Sequence, residues 1–157
     1  MLQIHVILSL AGIVSGVVIL YGLLTGKLIV GWTALFLGTT ILTSVTGFFL
    51  PPFDFDPPRV VGLISLVLLA GACAALYAFH LAGSWRWVYV VAATMALYLN
   101  VFVAVVQSFQ KVPFLQPLAP TQSEPPFLVA QVLVLLAFIA LGALAVMRFH
   151  PTIKLAT

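Results

Sequence analysis

Apolar residues do not alternate with polar ones along this chain. They run in five long blocks separated by short polar, glycine-rich and proline-rich segments. A helix needs about 20 mostly apolar residues to cross a hydrocarbon core about 30 Å thick. The blocks at about 4–24, 28–50, 60–81, 85–109 and 127–147 meet that length. All 10 prolines fall between the blocks or in the tail, at 51, 52, 57, 58, 113, 117, 120, 125, 126 and 151. Proline lacks an N–H and breaks the helical ladder, so this placement marks the ends of helices. A membrane β-barrel would show strands of about ten residues with alternating polarity, and these blocks are too long and too uniform for that. The first block has no Lys or Arg ahead of it and is longer than the apolar region of a signal peptide, so it reads as a retained helix. The expected fold is all-α: a polytopic membrane protein of five transmembrane helices forming a single domain over 1–157.

Composition removes whole classes of function. Hydrophobic residues make up 64% of the 157 positions and charged residues 6%. An ordinary soluble domain is about 45–50% apolar and about 25% charged. Three acids and six bases cannot cover the surface of a soluble enzyme. The net charge of +3 comes from scattered residues. No Lys/Arg cluster offers the many phosphate contacts that nucleic acid requires.

The basic residues predict orientation. Five spans put Lys27, Arg86, Arg148 and Lys154 on one side, and Arg59 and Lys111 on the other. Cytoplasmic loops collect Lys and Arg. The C-terminus is therefore expected in the cytoplasm and the N-terminus in the periplasm of a bacterial inner membrane. Trp32, Trp85, Trp87 and Tyr21 fall at the cytoplasmic depth, and Phe48, Phe49, Phe53, Phe55, Phe109 and Phe127 at the other, as aromatic belts do.

Polar positions inside the spans are few and lie mostly toward the periplasmic end. In the first span His5, Ser9, Gly12 and Gly16 share one helical face, and Gly12 to Gly16 is a GxxxG spacing that lets helices approach closely. Small residues also recur in the third span at Ala70, Ala74 and Ala78, widened by Gly71 and Ala75, and in the fifth at Ala137, Ala140, Gly142, Ala143 and Ala145, so the same close packing is expected there. The second span holds Thr39, Thr40, Thr43, Ser44 and Thr46 in one half. In the fourth, Asn100, Ala104, Gln107 and Lys111 form a stripe that climbs to the periplasmic surface. Leaving a buried carboxamide unpaired costs about 1–3 kcal/mol, so the stripe should face other helices or a wet space. His5, Ser9, Thr43, Thr46, Asn100, Gln107 and Gln131 are thus a candidate ligand-binding cluster contributed by four helices. The plainer alternative is a set of structural hydrogen bonds between helices.

The Pro-rich loop 110–126, QKVPFLQPLAPTQSEPP, covers the same end. It is expected to be a lid, a docking surface or an extended linker, because loops longer than about 12–15 residues usually carry function or are disordered. Asp54 and Asp56 lie close in sequence to Arg59, where a local ion pair is expected. Arg86, between Trp85 and Trp87, reads as an interfacial anchor. The lone Cys73 lies in an apolar run and cannot form an internal disulfide. Three scattered His offer no zinc spacing, and His5 lies at the opposite end from His80 and His150, which disfavours bis-His haem. No catalytic residue, metal or cofactor is assigned. No Ser-His-acid or Cys-His set assembles on one side without calling on His5 and the loop acids, so an enzyme is the less favoured class.

The stretches TSVTGFFLPP at 43–52 and APTQSEPPF at 119–127 resemble segments of small multi-span inner-membrane proteins of bacteria. The resemblance implies a membrane location and attaches no activity. Two functional expectations follow. One is a membrane protein whose periplasm-facing polar cluster binds a small molecule or lipid. The other is a non-catalytic accessory or scaffold subunit of a larger membrane complex. The partners expected are the bilayer and either other membrane subunits or further copies of the chain.

Overall fold

The computed structural model describes residues 1–51, 53 and 56–152. Among them every regular element is helical. The helices are α1 (Leu2–Leu24), α2 (Val30–Gly47), α3 (Pro57–Cys73), α4 (Trp85–Lys111) and α5 (Pro125–Arg148). Residues Ala74–Ala78 extend α3 as a π-helical turn. With that extension, five helices are long and apolar enough to cross a membrane.

Contacts at the helix ends establish an up-and-down arrangement. His5 at the start of α1 meets Thr46 near the end of α2. Ser9 meets Asn100 in the second half of α4. Arg86 at the start of α4 meets Val146 near the end of α5. The N-terminus, the segment after α2 and the segment between α4 and α5 therefore share one face, here called the N-terminal face.

Two helices that start from this face begin alike, with an acid followed by two prolines. Asp56 precedes Pro57 and Pro58, and Glu124 precedes Pro125 and Pro126. The first turn of a helix carries N–H groups with no intrahelical partner, and two prolines remove two of them. In α3 the next free donor, the Arg59 N–H, bonds the Asp56 carboxylate at 3.3 Å. The Arg59 guanidinium reaches back to the Leu50 carbonyl at 3.0 Å and lies 5.8 Å from the centre of the Phe53 ring. Asp54, the other half of the expected ion pair, lies outside the described residues.

α4 is the hub: it packs on α1, α3 and α5, while α1 packs most extensively on α2. Tyr89, Val90, Ala93, Ala96 and Leu97 of α4 are buried, with Phe36 of α2 and Leu69 of α3. The GxxxG face of α1 is at the centre. A Cβ built on Gly16 would run into Leu97 and Phe36. One on Gly12 would lie 3.0 Å from the Asn100 amide nitrogen and 3.1 Å from the Thr40 hydroxyl.

The other small-residue stripes behave differently. Ala70, Ala78, Ala137, Ala140 and Ala143 are exposed. α3 instead buries Ser65, Leu69 and Ala72, and of the wider stripe Ala75 is buried in the π turn. Of the α5 stripe, Gly142 and Ala145 approach α4 or the core, Gly142 with its Cβ position 3.3 Å from the Thr94 methyl. A helix that is apolar all round can turn any face inward, because lipid and protein interior are equally apolar.

The ends differ from the sequence expectation by a few residues. α2 runs 30–47 and not 28–50, and α3 starts at Pro57 because the two prolines fit its first turn. The segment 112–124 is structured: it contains a single 3₁₀ turn at Gln116–Leu118, and Ala119 is buried against Phe109 and Phe127.

Candidate functional site

Four hydroxyls in these helices satisfy themselves. Ser15, Thr39, Thr46 and Ser108 donate to the carbonyl four residues earlier at 2.6–2.7 Å. This back-bonding is what lets Ser and Thr sit in an apolar helix at little cost. The informative residues are those that do something else.

Three of the predicted cluster's helices meet at one junction, where α1, α2 and α4 come together around Gly12. The Ser9 hydroxyl donates to Asn100 Oδ1 at 2.8 Å, and Asn100 Nδ2 donates to the Ser9 carbonyl at 3.4 Å. One carboxamide thus uses both ends on one residue and joins α4 to α1. One turn nearer the face, His5 Nδ1 lies 3.0 Å from Thr46 Oγ1. Thr46 already spends its proton on the Leu42 carbonyl, so Nδ1–H of the imidazole is the donor in this pair. Thr40 and Thr43 complete the junction, and their buried hydroxyls have no partner.

Gln131 belongs to a second junction, between α5 and α4. Its Nε2 donates to the Phe102 carbonyl at 3.2 Å, and its Oε1 is buried without a partner. Gln107 is half-buried and makes no side-chain hydrogen bond. The structure therefore brings together His5, Ser9, Thr43, Thr46 and Asn100, places Gln131 at another interface, and leaves Gln107 in neither set of bonds.

The room lies elsewhere. A cleft of about 300 Å³ opens on the N-terminal face, lined by Phe109, Gln110, Gln116, Ala119, Pro120 and Gln122. Gln116 Nε2 donates to the Gln110 carbonyl, and Gln122 Nε2 to the Val106 carbonyl at 3.4 Å. Each amide keeps its oxygen free for a ligand, and the Gln110 side chain is wholly uncommitted. Gln122 sits at φ +59, in the left-handed region, and so turns the chain back over the cleft. Below it Phe109 and Phe127 meet edge to face at 5.5 Å between ring centres.

The turn that carries Gln122 is held by Glu124. Its carboxylate accepts from the Thr121 hydroxyl at 2.7 Å, the Thr121 N–H at 3.1 Å and the Ser123 N–H at 3.1 Å. The Thr121 hydroxyl, with these backbone donors, holds the carboxyl below its ordinary range. Bonds to the charged form favour that form.

A smaller cleft, of about 160 Å³, lies toward the opposite face between the start of α2 and the π turn. It is lined by Leu28, Val30, Thr33, Leu76 and Tyr77. The π turn leads into a tight reversal in which His80, Leu81 and Gly83 all have positive φ. Phe79 and Trp85 stack across that reversal at 4.0 Å, with rings parallel to within 1°.

Among the described residues no three His, Cys, Asp or Glu side chains come together. Comparison with protein-family models, with known proteins and with solved structures finds no match to this chain. The sequence reading missed Arg86 as a helix cap and Thr33 as a cleft residue. Both depend on which helix lies opposite, and local sequence carries no signal for that.

Proposed function

We propose that this chain is a bacterial inner-membrane protein, with its N-terminus in the periplasm, that binds a small polar molecule or a lipid headgroup at its periplasmic face. The observation that supports this most is the carboxamide-lined cleft beneath the Pro-rich segment. Three Gln side chains around one space present neutral donors and acceptors on an apolar floor, and a few convergent polar groups in a concave site are what small-ligand sites share. In this reading His5, Ser9, Thr43, Thr46 and Asn100 fix α4 against α1 and α2, and Gln131 fixes it against α5. The cleft is thereby carried on a rigid base.

A second reading has its own observation. α5 turns Ala137, Ala140 and Ala143 outward, and α2 leaves Gly31 and Gly38 facing open space. Small side chains facing outward suit close approach by another helix, as an accessory subunit of a larger complex would use them. Native mass spectrometry of the detergent-purified protein separates the two. A monomer or homo-oligomer that retains a small molecule or lipid, and loses it on Gln122→Ala, supports the first. A defined heteromer without such a molecule supports the second.

A further inference from the structure

The cleft beside the π turn is independent of the periplasmic site and carries a different chemistry. Its mouth is formed by Val30 and Tyr77, which are 67% and 54% exposed, at the start of α2 and the end of the third span. Its floor is Thr33, buried at 1% exposure. Unlike Ser15, Thr39, Thr46 and Ser108, Thr33 does not donate to the carbonyl four residues back, so its proton is left for another acceptor. Behind it stands Tyr89, fully buried, whose hydroxyl makes no hydrogen bond of ordinary geometry and has the Thr33 hydroxyl as its neighbouring hydrogen-bonding group.

Thr40 and Thr43 also lack an acceptor but lie in a packed junction, whereas Thr33 and Tyr89 lie at the end of an apolar cleft. Each unmet hydroxyl in an apolar interior is costly, and the great majority of buried polar groups have a partner. The wall opposite Thr33 is a π turn, an element that occurs often at functional sites. It runs into His80 and Leu81, two non-glycine residues held at φ +49 and +59, a conformation that persists where the surroundings enforce it. The π turn sets Leu76 and Tyr77 along the cleft.

We propose that this cleft binds an uncharged, membrane-soluble molecule whose polar end is a carbonyl. Thr33 donates to that carbonyl oxygen, and Tyr89 donates to Thr33 from behind, so both hydroxyls are satisfied in a chain. Charge is excluded because the lining carries none. A volume of about 160 Å³ admits a substituted ring or the carbonyl end of an ester, with the remainder of the molecule lying along Val30 and Tyr77 in the lipid. A quinone ring and a glycerolipid ester share this chemistry.

The test uses the full chain in detergent with two photoprobes: a decyl-benzoquinone bearing an aryl azide, and a diacylglycerol bearing a diazirine. Labelled peptides are mapped, and each probe is competed with its unmodified parent. Saturable, competed labelling at positions 28–33 and 76–77 is expected from one of the two probes, which then names the source. Thr33→Val and Tyr89→Phe should each weaken competition by roughly three- to tenfold, the worth of one hydrogen bond. Without ligand, both variants should melt at or above the parent temperature, because each removes an unmet hydroxyl and keeps the shape. Labelling that does not saturate, maps elsewhere or is unchanged in Thr33→Val overturns the proposal. So does a lowered melting temperature for ligand-free Tyr89→Phe, which would mean that the fold itself satisfies that hydroxyl.

Discussion

Arg86 closes the end of a helix to which it does not belong: its Nη1 donates to the Phe149 carbonyl at 2.8 Å and to the Val146 carbonyl at 2.9 Å. The last carbonyls of a helix have no intrahelical partner, and the negative end of the dipole favours a cation there. Phe149 itself is fully buried, its ring 5.9 Å from that of Tyr89. The start of α4 and the end of α5 are thus joined by both a charge and a ring.

Removing the guanidinium should therefore cost more than a surface charge would. A hydrogen bond to a charged group contributes about 1.5–3 kcal/mol. Arg86→Ala should lower stability by about 2 kcal/mol or more, and Arg86→Lys should recover part of it. Thermal melting in detergent measures this. An Arg86→Ala protein that melts like the parent would show that the cap is dispensable.

The glycines of α1 and α2 make opposite predictions. Gly16 has no room for a methyl group, because Leu97 and Phe36 occupy its Cβ position. Gly16→Ala should destabilise by about 1–3 kcal/mol, the usual effect of overpacking. Gly38 faces open space, so Gly38→Ala should be neutral or should stabilise by up to about 1 kcal/mol through helix propensity. Leu10, 56% exposed, should tolerate alanine better than Gly16 does. Equal melting of Gly16→Ala and Gly38→Ala would contradict the placement of α1.

Hydropathy and proline placement were enough to find all five helices, because length and apolarity are local properties. The paired prolines were placed outside the helices, whereas Pro57, Pro58, Pro125 and Pro126 lie in the first turns of α3 and α5, where a missing N–H costs nothing. The facing of α3 was not legible: Ala70 and Ala78 point out while Leu69 and Ala72 point in. In an apolar medium neither phase is written in the polarity pattern. For α1 the phase was legible, because His5 and Ser9 are polar and must turn inward, and the glycines follow them. The π turn at Ala74–Ala78 consists of ordinary helix formers and gives no signal. The candidate cluster was legible as a set of polar positions at one depth. That Ser9 would bond Asn100 while Gln131 bonds a backbone carbonyl depended on which helices are neighbours.

The turn over the carboxamide-lined cleft should respond to acid. The Glu124 carboxyl titrates below its ordinary value because Thr121 and Ser123 bond its charged form. A depressed carboxyl contributes stability that is present above the unfolded-chain value and is lost as pH falls through the lower, folded value. Amide hydrogen exchange at residues 119–124, corrected for its intrinsic pH dependence, should be slow near pH 6 and speed up well below pH 4. Glu124→Gln should exchange fast at both. Protection that is the same at pH 6 and at strongly acid pH would remove Glu124 from the account.

Gln107 provides the sharpest test of whether water reaches between the helices on the N-terminal face. It is half-buried, and its amide makes no hydrogen bond within the protein, although an unpaired carboxamide in a dry interior is costly. We expect it to be hydrated from the face where Lys111 lies, one turn further along α4. Val105 packs on the Phe109, Ala119 and Phe127 cluster and should be dry. In a Cys73→Ala background, Gln107→Cys should react with a small water-soluble maleimide and Val105→Cys should not, because a thiol in apolar surroundings stays protonated and out of reach. Adding the reagent to intact cells also tests orientation. Lys27, Arg86 and Arg148 lie at the other end of the helices, against Arg59 and Lys111 at this one, so the N-terminal face should be the periplasmic one, and labelling at 107 should not require the cells to be opened. Reaction only in broken cells would reverse the orientation and move the carboxamide-lined cleft to the cytoplasm. No reaction at 107 under either condition would mean that the stripe from Asn100 to Lys111 is closed off from water.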